Sequence, residues 1–331
     1  MPGLKDQIQD ALDEDRILIL GSQVLVGFLL RAGFEPRIDE LSGPSRAVVL
    51  FTACLMIATM ALLIAPVTYH RLVARGADTP GLKHFIGRCL RIALFCFVVS
   101  VALDIGLAAH LTVSDTILPT ALVVVLAAVG AGHLLWLEWT AHRATKLNGQ
   151  REAFMSATSR WEVEEVPLKD RIRQVLTEAR VILPGAQALL GFSLATVLLQ
   201  AFTSIPMIDR LIHLTSLLCI AVSTMLLMAP AAYHRIVLHG SDTEEFHHYA
   251  GRMLVAALVP LGLGIVGELY VVVHKVTGSA SAGVALALLC GAVISGLWFG
   301  PALLHRPGPV SRTLPTHGRG PAWIRRPMRP A

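Results

Sequence analysis

Asp104 lies in the apolar run 86–110 and Glu268 in the run 250–274, and a single offset of 164 residues relates both the runs and the acids. A carboxyl group among hydrocarbon side chains must be neutral or paired, and such groups are used for proton relays and ion paths. Two amides share the offset, Gln23 and Gln187. An amide in hydrocarbon needs a partner, so this pair predicts either a structural hydrogen bond or a polar cavity. Asp104, Glu268, Gln23 and Gln187 form the candidate polar site. Each acid also has a candidate partner in the sequence: Arg31 for Asp104, and Arg210 or His213 for Glu268. A structural ion pair is therefore the competing reading.

The same offset carries Pro66-x-x-Tyr69-His70-Arg71 onto Pro230-x-x-Tyr233-His234-Arg235, each preceded by alanine. Proline inside a helix frees a carbonyl one turn back, and tyrosine and a cation suit the headgroup level, so the motif reads first as an interfacial anchor. Its functional reading is a proton relay or headgroup site. The following Gly76-x-Asp78-Thr79-Pro80 reads as punctuation: glycine ends one helix, Asp or Thr caps the next, and proline opens it. Histidines cluster after the second copy, with Glu244 and Glu245 three residues before His247 and His248. Paired Glu-x-x-His helices can hold two metals. The first copy has Pro80, Gly81 and Lys83 at equivalent positions, so no metal site is expected. Gly262-x-Gly264-x-x-Gly267 lies inside an apolar run, without the strand a dinucleotide fingerprint requires. Gly296-x-x-x-Gly300 is a helix-packing face. The five cysteines show no CxxC spacing and read as buried hydrophobes.

The elements that must hold these residues follow from composition. The chain is 54% hydrophobic and 15% charged over 331 residues, outside the range of water-soluble domains. The runs 47–69, 117–137, 181–208 and 276–304 each meet the ~20 residues that cross a hydrocarbon core. The repeat supplies the others: 17–34 contains Arg31 but aligns with the uncharged 181–198, and 86–110 aligns with 250–274. The expectation is an all-α polytopic membrane protein with eight transmembrane helices, built as two parallel four-helix repeats. The units are 1–139 and 168–304, joined by a cytoplasmic linker at 140–167. A basic tail at 305–331, rich in Pro, Gly and Arg and lacking acids, is expected to be disordered.

With eight helices drawn, 22 of the 28 lysines and arginines fall on one side, which the positive-inside rule makes cytoplasmic. Both termini are then cytoplasmic in a multi-pass protein of the cell membrane. The acidic, amphipathic first residues are unlike a cleaved signal. Expected partners are the bilayer, anionic headgroups through the tail, and an ion or proton; no nucleic acid, cofactor or catalytic set is expected.

Both units carry an acid-x-Arg pair followed by Gly-x-Gln-x-Leu-x-Gly-Phe and then Ala-Pro-x-x-Tyr-His-Arg, within 12–110 and 176–274. In this the chain resembles a family of uncharacterised bacterial four-helix membrane proteins, some of whose members are named sodium:proton antiporters. The resemblance implies the fold and topology, and through that label a proton- or cation-coupled secondary transporter. A non-transporting membrane scaffold or partner-binding subunit is the alternative.

Overall fold

The computed structural model describes residues 4–74, 80–112, 117, 119–132, 135, 139, 167–238 and 241–304. The linker expected at 140–167, apart from Pro167, and the basic tail at 305–331 lie outside these residues. The described residues are helical throughout, with short connections and no strand. The helices are α1 Leu4–Ala32, α2 Arg37–Glu40, α3 Gly43–Leu72, α4 Pro80–Thr112 and α5 Pro119–Gly132 in the first unit. The second unit has α6 Leu168–Val197, α7 Gln200–Ser204, α8 Met207–Ile236, α9 Glu244–Thr277 and α10 Ala280–Leu304.

Six of these are long and apolar enough to cross a membrane: α3, His84–Thr112 of α4, α6, α8, α9 and α10. The expectation of eight is met only to that extent, since among the described residues the apolar parts of the other two, Leu18–Ala32 and Pro119–Gly132, are shorter. Two one-turn helices, α2 and α7, fold the chain back between the first and second long helix of each unit. The turns are built alike: Arg46 Nε donates to Leu41 O at 3.1 Å and its Nη2 to Asp39 O, while Arg210, 164 residues on, donates from Nε to Ile205 O at 3.1 Å and from Nη2 to Thr203 O.

Local chemistry sets the helix ends. Ser42 caps α3, with Pro44 in the first turn. Thr243 accepts from Phe246 N to cap α9, as the punctuation motif predicts for the second unit, and Gly278 closes α9 at φ +68°, a conformation glycine adopts without strain.

We call the side where α6 and α9 begin and α3 ends the near face, and the opposite side the far face. The two units pack through α1 against α6 and α3 against α10, with α9 also touching α3 and α1. Gly27 of α1 receives the Phe192 ring of α6, and Phe28 meets Phe192 edge-on at 6.4 Å. Trp298 of α10 donates from Nε1 to Ala61 O of α3 at 3.0 Å, one residue from the carbonyl that Pro66 frees. The centre of the molecule is thus α3 and α9, one helix from each unit but not the equivalent one. Two-thirds of the apolar span of α3 is buried (67%) against 33% of its counterpart α8; for α9 and its counterpart α4 the values are 56% and 22%.

Candidate functional site

The Glu268 carboxylate on α9 is buried at the far-face third of the interface. Its Oε2 lies 2.9 Å from Nδ1 of His213 on α8, and the other ring nitrogen, Nε2, lies 3.1 Å from Ser193 O on α6. A carbonyl oxygen only accepts, so Nε2 carries a hydrogen, and one further proton is shared between Nδ1 and Glu268. The pair therefore exists as imidazolium with carboxylate, or as imidazole with carboxylic acid. Removing that proton would set a lone pair against a carboxylate at 2.9 Å. Phe202 and Phe34 close over the imidazole at ring distances of 5.0 and 6.4 Å.

Two features connect this pair outward. Glu268 Oε1 is buried without a hydrogen-bond partner, and Glu268 lines a cavity of about 10 Å³, room for about one water, between α1 and the second unit. Arg31, Ser193 and Thr196 supply its polar lining. Toward the far face, Asp209 stands one turn before His213 on α8, and its Oδ2 lies 2.8 Å from Nδ1 of His274 at the partly exposed end of α9, a close contact without good hydrogen-bond alignment. Acid and imidazole thus alternate from the far surface to the unit interface: His274, Asp209, His213, Glu268.

A second buried carboxylate sits at the near face. Glu178 of α6 accepts from His70 Nδ1 at 2.8 Å and from Arg71 Nε at 2.6 Å, which ties the end of α3 to the second unit. Arg71 Nη1 is 3.4 Å from His247 Nε2 on α9, and Arg171 Nη2 is 3.2 Å from His247 Nδ1. Arg171 also reaches the exposed Glu244 at 2.9 Å. Between the carboxylates lies Gln23 of α1, fully buried, its amide nitrogen and oxygen without partners, pressed on Gly185 of α6. Glu178, Gly185 and Ser193 are 7 and 8 residues apart on α6, so the three polar stations stand roughly 10 and 12 Å apart along one helix at 1.5 Å per residue.

The structure brings together only part of the sequence-predicted site. Of the two partners the sequence offers Glu268, His213 meets it and Arg210 instead serves the turn, and Gln23 is at the interface. Gln187 is exposed. Asp104 is half-buried within reach of Thr52 on α3, and Arg31 pairs with Glu35 at 2.8 Å rather than with Asp104. Tyr69 stacks on Phe85 at 4.6 Å, as an anchor would, whereas His70 and Arg71 turn inward; Pro66 is buried. In the second copy Tyr233 lies against Tyr249 at 4.9 Å, His234 reaches Asp242 at 3.4 Å, and Arg235 is exposed; Pro230 is buried. Glu178, Arg171, Asp209 and Ser193 were not singled out from the sequence, and His247 entered only as a metal-ligand candidate. Glu178 had a signal, because the 164-residue offset gives it an acidic counterpart, Glu14. Among the described residues no three His, Cys, Asp or Glu side chains gather to hold a metal ion.

The model of the Family of unknown function (DUF6328) matches the chain twice, over residues 4–140 and 161–302. The chain belongs to this family. Two matches in tandem agree with the internal repeat, and the chain is a duplication of the DUF6328 unit. Neither a curated protein nor a solved structure matches it significantly.

Proposed function

We propose that this tandem DUF6328 protein is a proton-coupled secondary transporter of the cell membrane in which the His213–Glu268 pair carries the proton. The observation that bears this reading is a carboxylate–imidazole pair sharing one proton, with one carboxylate oxygen unpartnered and Glu268 lining a small cavity of mixed polar and apolar lining between the two units. Buried acids facing a bundle interior are the usual proton carriers of membrane pumps and transporters. In this reading all eight helices span, α1 and α5 included, and the near face is cytoplasmic. The basic residues assigned to the far face support that orientation: Arg31, Arg46, Arg210 and Lys275 are tied to Glu35, to the turn carbonyls and to Asp39. They are held there by structure, while among the described residues Arg71, Arg171, Arg173, Arg235 and Arg252 lie toward the opposite face.

The test is proton movement in proteoliposomes, followed with an entrapped pH dye under an imposed potassium diffusion potential. Wild type should acidify or alkalinise the lumen well above empty vesicles, and His213→Gln should bring the rate to the empty-vesicle level with the protein still folded. Equal rates for wild type and empty vesicles, with no ion gradient able to raise the former, would refute transport.

The scaffold reading is favoured by one observation. Between Glu178 and Glu268 the α1–α6 contact is closed, by Gln23 on Gly185 and Phe192 on Gly27. A transporter must open that contact, whereas a scaffold never does; labelling of a cysteine placed at position 23 separates the two.

A further inference from the structure

The near-face network contains more donors than its acceptors can serve. Glu178 uses one oxygen for His70 and the other for Arg71 Nε. The two remaining contacts of the arginines converge on the two nitrogens of one imidazole, Arg71 on His247 Nε2 and Arg171 on His247 Nδ1. A guanidinium donates and never accepts, and a neutral imidazole accepts at one nitrogen only, so at most one of these contacts is a hydrogen bond. Arg71 Nη2 is buried without an acceptor although the side chain is only 6% exposed. The Gln174 amide nitrogen is likewise buried and unpartnered; Gln174 lies three residues after Arg171 and four before Glu178 on α6, the spacing that places all three on one face. Two buried donors without acceptors and a histidine between two arginines, one of them at the rim, thus gather at this end of α6.

We propose that this spot, bounded by Arg71, Arg171, Gln174 and His247, binds a phosphate-type oxyanion, either the phosphodiester of a lipid headgroup or free phosphate. A planar guanidinium fork suits two phosphate oxygens, and the α9 N-terminus adds a favourable dipole beside His247. The mouth is the exposed Arg171–Glu244 pair: Glu244 occupies one edge of the Arg171 fork with a carboxylate that an incoming oxyanion must displace. The site lies where α3 ends and α6 and α9 begin, the level of headgroups if these helices span. It does not depend on whether the chain moves protons.

The experiment uses the full chain purified in detergent and phosphate-free buffer. Inorganic phosphate is titrated while thermal stability is followed, and in a second arm native mass spectrometry counts phosphatidylglycerol retained from mixed micelles. One saturable ligand is expected in at least one arm. Lipid that phosphate fails to displace assigns the site to headgroups, and saturation by phosphate in lipid-free micelles assigns it to the soluble ion. Arg171→Gln, at a partly exposed position, should weaken binding at least tenfold, and Glu244→Gln should tighten it several-fold. No saturation in either arm for folded wild type, equal binding by Arg171→Gln and wild type, or weaker binding by Glu244→Gln would each overturn the proposal.

Discussion

The second and third helices of the two units make the instructive comparison. α3 and α9 are central, while their repeat counterparts α8 and α4 lie at the periphery. This difference accounts for the fate of the motifs those helices carry. The Tyr-His-Arg motif on α3 is drawn into a buried network with Glu178, and the copy on α8 stays at the surface. Glu268 on α9 is enclosed and paired, and Asp104 on α4 is half-buried beside a threonine. The sequence has diverged to match. Where the second unit has Ser193, Asp209 and His213, the first has Leu29, Ser45 and Val49. Of the acids and Tyr-His-Arg motifs that both units keep, the copy on a central helix is the one drawn into a buried network.

Substitutions at equivalent positions can break this picture. The largest contrast should come from Arg71→Leu against Arg235→Leu. Removing one partner from a buried ion pair typically costs about 3–5 kcal/mol, whereas an exposed side chain should change stability by less than about 0.5 kcal/mol. Unfolding of detergent-solubilised protein by added sodium dodecyl sulfate measures both, and similar losses would mean the two motif copies are equally buried.

A smaller contrast lies at the α1–α6 contact. A Cβ on Gly185 would collide with the Gln23 side chain, while one on Gly21 meets nothing within 4 Å. Gly185→Ala should therefore cost about 1–3 kcal/mol through overpacking. Gly21→Ala should be neutral or stabilise by up to about 1 kcal/mol, as alanine does in an open helix. The same unfolding assay reads both, and reversed signs would show that the pairing of α1 with α6 is different.

Smaller still, Trp298→Phe removes the bond to Ala61 O and should cost about 0.5–1.5 kcal/mol. The α3–α10 contact can also be trapped directly. The Cys54 and Cys290 thiols lie within hydrogen-bonding reach of each other, so mild copper-catalysed oxidation should join the two units. After proteolysis in the 140–167 segment the halves should migrate together without reductant and apart with it.

Much of the architecture was legible because a gapless 164-residue repeat tests every helix twice. The all-helical class and the tandem organisation could be read from residue types at fixed spacing, which also narrowed the Glu268 partner to Arg210 or His213 and the α9 cap to Asp242 or Thr243. Which copy is buried could not. Mean hydropathy is 2.6 for α3 and 2.1 for α8, and 2.4 and 2.0 for α4 and α9. A side chain facing lipid and one facing a neighbouring helix meet equally apolar surroundings, so hydrophobicity does not tell the centre from the rim. The near-face network was hidden for another reason. Glu178, Arg171 and His247 lie on polar helix ends, where charged residues ordinarily face water, and only long-range packing turns them toward Arg71. The expected Arg31–Asp104 pair failed because Arg31 has a nearer partner one turn ahead, Glu35.

The central claim is that the chemistry resides in the second unit's acid and not in its repeat partner. Proton flux in proteoliposomes should be measured side by side for wild type, Asp104→Asn and Glu268→Gln, each first shown to be folded. Flux close to wild type is expected for Asp104→Asn, and none above empty vesicles for Glu268→Gln. Flux surviving in Glu268→Gln, or lost only in Asp104→Asn, would contradict the claim.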